Sequence, residues 1–294
     1  MEHLHQCPSC EHPHFSHFLK AKDYTVSQDT FEIVQCAACQ LLFTNPRPNS
    51  KEAGTYYQSE NYISHSNTQK GFINQLYHTI RIITLKQKTS WIEKYKQGEK
   101  MLLDIGCGNG HFLHAAKNKD WKVTGMELDS ETAKRASELV EQIIYPSLKE
   151  IPDENQFNVI SMWHVLEHVY ELEDYFLFFK QHLLPTGQLL LALPNHLSHD
   201  AQIYQEHWAA YDVPRHIYHF NPQSLETLAQ KHGFKIVKSK GQVFDSFYIS
   251  LLSNEYKFGK KRVFFAFYLG MVSNLIAYFK SGNYSSNLYI LEHA

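Results

Sequence analysis

The sequence predicts an α/β fold, an open Rossmann-like sheet with helices on both faces, preceded by a small metal-held ribbon. Three observations predict it. Residues 101–110, Met-Leu-Leu-Asp-Ile-Gly-Cys-Gly-Asn-Gly, read as a buried strand entering a glycine turn. Phe112, Leu113, Ala115 and Ala116 then form the apolar side of a helix. Further apolar, strand-like runs alternate with helical patterns towards the C-terminus, and two Cys-x-x-Cys pairs open the chain. At 294 residues and 43% hydrophobic, the chain can bury the core of one large or two small domains. A formal charge of -2 gives no whole-protein field for nucleic acid, which is not expected as a partner.

Residues 1–48 are expected to form the ribbon. Cys7-Pro-Ser-Cys10 and Cys36-Ala-Ala-Cys39 are separated by 25 residues. Each two-residue gap lets both thiolates face one ion, so the four complete a tetrahedral structural zinc site with no open position. A redox dithiol is the rival, and the duplication of the pair argues against it. His3, His5, His12, His14 and His17 lie nearby, either solvated or able to replace a cysteine. Tyr24-Thr-Val and Phe31-Glu-Ile-Val look like short strands, and Leu41 to Pro48 reads as a linker ending in prolines. Met1 to Cys7 lacks a basic then apolar run, so a cytosolic protein with reduced cysteines is expected.

Residues 49–97 are expected to be a linker and helical lid. Tyr56, Tyr57 and Tyr62 form an aromatic cluster, and 70–97 reads as a helix with Phe72, Leu76, Ile80, Ile83, Leu85 and Ile92 on one side. The core domain follows over 98–294. Asp104 ends the first strand. The second, Trp121 to Met126, ends in Glu127, 21 residues past Gly106, where a carboxylate can accept both hydroxyls of a ribose. Because position 111 is His111, the turn is Gly-x-Gly-x-Gly, which disfavours a dinucleotide pyrophosphate.

Asp-Ile-Gly-Cys-Gly-Asn-Gly closely resembles motif I of the class I S-adenosylmethionine-dependent methyltransferases. The resemblance covers roughly residues 98–240 and implies a seven-stranded sheet with its last strand reversed at the sheet edge. It implies cofactor contacts at Asp104, Gly106, Cys107, Gly108, Gly110, Glu127, Leu128 and Trp163, with Glu127 on the ribose. The Cys-x-x-Cys pairs followed by Asn45-Pro-Arg-Pro48 resemble the zinc-binding head of bacterial methyltransferases that act on sugars or polysaccharides. The resemblance also implies that the tyrosine segment covers the cofactor or acceptor; plain packing is the alternative.

Further along, Glu131 to Glu141 reads as a helix, Ile143 to Tyr145 and Phe157 to Ser161 as strands, and Leu172 to Leu184 as an aromatic helix. Leu189 to Leu193 is apolar throughout and so central. In Met162 to Val169, a helical turn would put His164, Glu167 and His168 on one face. Three readings stay open: His168 as general base oriented by Glu167, the three as ligands of a second divalent cation, or a brace beside the cofactor. The pattern resembles the Glu-x-x-Glu-His metal site of ubiquinone-pathway and small-RNA O-methyltransferases. Here His164 stands for the first glutamate, which shifts the preference towards softer metals.

Two insertions are expected, 195–232 and 246–281. The first holds Asp212-x-Pro-Arg-His216 and Tyr218-His219-Phe220, which resemble the acceptor-side signature of the zinc-headed enzymes. His216 is then a second candidate base or ligand, and His207, Tyr211, Arg215 and His219 are candidate substrate contacts beside His164. A buried Asp212–Arg215 pair is the plainer reading. Asn221 to His232 is a helix stopped by Gly233, and Gly233 to Lys238 and Asn287 to Glu292 are the last strands. In the second insertion Lys257, Lys260, Lys261 and Arg262 precede seventeen largely apolar residues, 263–279. This stretch reads as a helix packed on the core or on a second copy, or as one lying on an anionic membrane. The expected activity is methyl transfer to a hydroxyl of a sugar or of a glycan or lipid precursor. The rivals are an RNA methyltransferase and a non-catalytic zinc-ribbon interaction protein.

Overall fold

A computed structural model of the chain describes residues 1–58, 72–95 and 99–294. Tyr62 and the side chains of Phe72 and Leu76 lie outside the described residues. The main sheet has seven strands: β4 (Met101–Ile105), β5 (Lys122–Met126), β6 (Ile144–Tyr145), β7 (Phe157–Trp163), β8 (Leu183–Pro194), β10 (Phe234–Gly241) and β11 (Ser286–His293). Their order is β10-β11-β8-β7-β4-β5-β6. The contacts from β6 to β8 are parallel, and β11 runs antiparallel to both neighbours. This is the expected seven-stranded sheet, and β11 is reversed as expected, but it lies between β10 and β8 rather than at the edge, which β10 occupies. The order turns back at β4, so the carboxyl ends of β4 and β7 flank the crevice where ligands bind in such sheets.

Both faces of the sheet are covered, as alternation along the strands requires. Leu103, Ile105, Ile160, Met162 and Leu191 pack with α4 (Leu172–His182) and α6 (Pro222–Lys231). Leu102, Val159, Leu190, Ala192 and Ile290 pack with α2 (His111–Lys117) and α3 (Ser130–Val140). That second layer is joined by Trp91 and Ile92 from the end of α1 (Phe72–Ile92). Ile83, expected on the inner side of this helix, is exposed instead.

The ribbon is a second sheet of β1 (Phe15–Lys22), β2 (Thr30–Cys36) and β3 (Leu42–Thr44). Its fourth strand, β9 (Tyr218–His219), comes from the first insertion and pairs with β3. The expectation of a strand at Tyr24 to Val26 is corrected. The Asp23 carboxylate accepts the backbone N–H groups of Thr25, Val26 and Ser27 at 2.8–3.1 Å, which closes a turn there. Leu41 to Phe43 is likewise no linker, because all three residues are fully buried in the core.

Candidate active site and cysteine cluster

The glycine turn after β4 has left-handed backbone at Gly106, Gly108 and Gly110. At Gly106 a Cβ would come within 2.5 Å of Val165 Cγ2, so only glycine fits between this turn and the segment after β7. Glu127 ends β5 and reaches back: one carboxylate oxygen accepts the Gly108 N–H at 3.0 Å and the other accepts the Asp129 N–H at 3.1 Å. Asp104 is buried beneath the turn and accepts the Ser161 hydroxyl at 2.6 Å. Burial raises its pKa to about 7 against the opposing Ser161 bond and the nearby Lys88 ammonium. Cys107 is buried in the same turn, and burial pushes its thiol up, as suits a packing residue. Leu128 is exposed at the rim. The Trp163 ring, expected as a cofactor contact, faces α1: it stacks with Trp91, and the Lys88 ammonium sits 4.0 Å above it.

The segment after β7 turns sharply. His164 has φ 59°, and only Leu166–His168 is helical, as one 3₁₀ turn. The expected face of His164, Glu167 and His168 is therefore not formed. His164 donates through Nε2 to Asp245 Oδ2 at 3.1 Å, and its Nδ1 lies 3.6 Å from Glu167 Oε1. Burial alone would lower its pKa, but Asp245 and Glu167 outweigh that and raise it to about 10. His164 is turned to Asp245 and lies outside the set of ligand atoms that converge, so the cation set expected with His164 is corrected. His216 takes its place: ligand atoms of Glu167, His168 and His216 all lie within 4.8 Å of one another.

Backbone bonds bring His216 there. Ile217 N–H donates to the Glu167 carbonyl at 2.9 Å, and the Thr44 hydroxyl donates to the His216 carbonyl at 3.1 Å. Both imidazoles have their tautomers set. His168 Nδ1 donates to the Arg215 carbonyl at 3.0 Å, where Tyr57 Oη also approaches to 2.9 Å. His216 Nδ1 donates to the Ala210 carbonyl at 2.9 Å. Both Nε2 lone pairs are thus left for the cluster. Burial, then the neighbouring His216, lowers the His168 pKa to about 4, so it is neutral near pH 7. Glu167 is 1% exposed, and neither carboxylate oxygen has a hydrogen-bond partner among the described residues. Burial would raise its pKa, yet His164 and His216 hold it below the usual carboxylate range. A buried carboxylate, ion-paired with His164 yet without a hydrogen bond among the described residues, beside two imidazole lone pairs fits a divalent cation.

Arg215 is corrected as a substrate contact. Its guanidinium bonds to both oxygens of Asp212, to Asp23 Oδ1 at 3.0 Å and to the Tyr56 carbonyl at 2.9 Å. This is the buried pair legible in the sequence, extended by Asp23 into a tie between ribbon and core. Tyr211 and His219 are also interior and meet edge to face. His207 is partly exposed and bonds Tyr24 Oη at 2.7 Å. Sequence reasoning missed Asp23, Lys88 and Asp245. Each is a lone ionisable residue whose partner lies far along the chain, so no local pattern marks it.

In the ribbon, Sγ of Cys7 lies 3.6 Å from that of Cys39, and Cys10 stands at the same distance from Cys36. This is far beyond a disulfide and close to the roughly 3.8 Å edge of a tetrahedron with metal–sulfur bonds of about 2.3 Å. The four thiols fit one zinc ion.

Residues 77–239 match the family described as "Methyltransferase domain", and the chain belongs to that family. It is an S-adenosylmethionine-dependent methyltransferase. The ubiquinone biosynthesis O-methyltransferase of Rickettsia prowazekii (strain Madrid E) is 22% identical over 223 residues, 71% of this chain and 85% of that protein. The protein of the same name from Rickettsia typhi (strain ATCC VR-144 / Wilmington) is also 22% identical over 223 residues, 71% of this chain and 87% of that one. The magnesium protoporphyrin IX methyltransferase of Synechocystis PCC 6803, solved with SAH, superposes with a TM-score of 0.51 at 11% identity. That match covers 81% of this chain and 97% of the other, and it shows the shared fold.

Proposed function

We propose that the enzyme methylates a hydroxyl oxygen of a sugar or of a glycan or lipid precursor. The observation that carries this reading is the convergence of Glu167, His168 and His216 directly behind the glycine turn, linked to it by Val165 against Gly106. In the reaction the acceptor oxygen attacks the methyl carbon in line, the carbon–sulfur bond breaks, and S-adenosylhomocysteine leaves. A hydroxyl must also lose a proton, whereas many nitrogen and carbon acceptors need no such help. A cluster with two imidazole lone pairs and a carboxylate meets that need. A divalent cation held by Glu167, His168 and His216 would lower the pKa of a bound hydroxyl.

Oxygen as the acceptor atom is further supported by the names of the curated relatives, which are O-methyltransferases. The sugar-type acceptor rests on the likeness of Asn45-Pro-Arg-Pro48 and of Pro214 to Phe220 to the zinc-headed sugar enzymes. The test is transfer of labelled methyl to a panel of sugar nucleotides, glycan precursors and phenols, with and without added Mg²⁺ or Mn²⁺. We expect an alkali-stable methyl ether. His168→Gln and His216→Gln should each lower turnover about 100-fold or more while S-adenosylhomocysteine binding is kept. Product methylated at nitrogen or carbon, or full turnover in both variants, would overturn the reading.

A further inference from the structure

The helical hairpin of the second insertion, α7 (Asp245–Phe258) and α8 (Val263–Ile276), has an outer face that the methyl-transfer chemistry leaves unexplained. The helix continues from Ala277 to Ser281 as a π turn. Along it, Ala266, Leu269, Gly270, Ser273 and Ala277 face inward and are buried. Phe264, Tyr268, Met271, Leu275 and Tyr278, spaced by three or four residues, face outward, with Phe264 94% exposed and Tyr278 73% exposed. A surface helix normally turns its large apolar side chains inward. Here the small residues face the protein and the aromatic ones face away from it, and an exposed apolar face of this kind marks an interaction surface.

The charges around this face identify what it meets. Lys257, Lys260, Lys261 and Arg262 lead into the helix and Lys280 leaves it, with no Asp or Glu from 257 to 281. Lys261 pairs with Glu255 at 3.5 Å, while Arg262 lies over the Phe258 ring and Lys257 bonds the Ile203 carbonyl. A second copy docked by two-fold symmetry would set this basic collar against itself. An anionic lipid surface complements both the collar and the aromatic face.

Val263–Ser281 is long and apolar enough to cross a bilayer, but its anchoring excludes a span in this fold. A Cβ at Gly270 would come within 2.9 Å of Phe247 and 3.1 Å of the Ser246 carbonyl, so the two helices touch closely. Ser273 donates to Asp200 at 2.7 Å, and Asn274 donates to the Val243 carbonyl at 2.8 Å. β11 begins at Ser286, back in the main sheet. The helix therefore lies flat along the protein. We infer that the face of α8 is a peripheral membrane-binding surface for anionic lipid, with Phe264, Tyr268, Met271, Leu275 and Tyr278 entering the headgroup region and the basic collar contacting the headgroups.

The test is co-sedimentation of the full-length protein with vesicles of phosphatidylcholine alone or mixed with phosphatidylglycerol, with size-exclusion chromatography on the same samples. Expected is a monomer that sediments with the anionic vesicles and is released by high salt. Lys260→Glu/Lys261→Glu/Arg262→Glu should bind about 100-fold more weakly. Phe264→Ser/Tyr278→Ser should lose binding as well; both side chains are exposed, so circular dichroism and melting temperature should be unchanged. Absence of binding by folded wild-type protein, binding indifferent to both variants, or a solution dimer that Phe264→Ser/Tyr278→Ser splits into monomers would each overturn the inference.

Discussion

Glu127 is held by the loop it serves. Its two oxygens accept N–H groups from Gly108 and Asp129, so its carboxylate stands at the rim of the glycine turn before any ribose reaches it. Glu127→Ala removes both bonds and, on the reading that the family resemblance implies, the acceptor for the ribose. Calorimetric titration with S-adenosylhomocysteine should show affinity about 10- to 100-fold lower, while Glu127→Gln, which keeps one acceptor oxygen, should lose less. Arg215 is a different kind of residue, holding two acids rather than a ligand. Arg215→Met would strand the Asp23 carboxylate in the interior and leave the partly exposed Asp212 without its partner, at a cost of about 3–5 kcal/mol, read from urea unfolding. Arg215→Lys should recover little, because an ammonium cannot reproduce the fork that meets Asp212, Asp23 and the Tyr56 carbonyl. The Asp212–Arg215 half of this network was legible from a three-residue spacing. Asp23 was not, because it lies 192 residues from Arg215 and no short-range pattern couples them.

At the scale of elements, the main sheet was legible because its strands are buried on both faces and read as apolar runs between turn signals. β1 was missed for the converse reason: Phe15–Lys22 is largely exposed, so its sequence carries no burial pattern. The 3₁₀ turn at Leu166–His168 was misread because helical spacing presumes a helix that a positive φ at His164 prevents. The ribbon and the first insertion share β9, which ties the cysteine cluster to the candidate active site. β3 pairs with β9, and the Thr44 hydroxyl holds the His216 carbonyl. Chelating the metal, or Cys36→Ser, should therefore lower the melting temperature and raise hydrogen exchange at Tyr218 and His219. The same treatment should reduce methyl transfer through His216 while S-adenosylhomocysteine affinity stays near wild type, because the glycine turn lies on the other sheet.

Over the whole molecule, acid stability depends on which histidines the fold buries, and the count of 19 in the sequence does not reveal that. His196 is interior, against Phe18 and Asn221, and burial pushes its pKa down to about 4. Burial, and then the nearby His216 and His196, also hold His219 well below the usual imidazole range. Both are neutral in the folded chain but take up a proton near pH 6.5 once unfolded. Between about pH 6.5 and 4 the unfolded state binds more protons, so each group removes stability as pH falls through that window. His164 has the opposite sign. With its pKa raised to about 10, its contribution is complete below about 6.5 and is lost as pH rises towards 10. Stability measured by urea unfolding should therefore decline on both sides of neutrality. His196→Gln should flatten the acid limb by up to about one proton and leave the alkaline limb unchanged, whereas Asp245→Asn, which removes one acidic partner of His164, should flatten the alkaline limb and also remove the contribution of the Asp245 carboxylate that wild type loses below about pH 4. An acid limb identical in wild type and His196→Gln would mean that this imidazole is solvated in solution and that the packing of Phe18 over it is wrong.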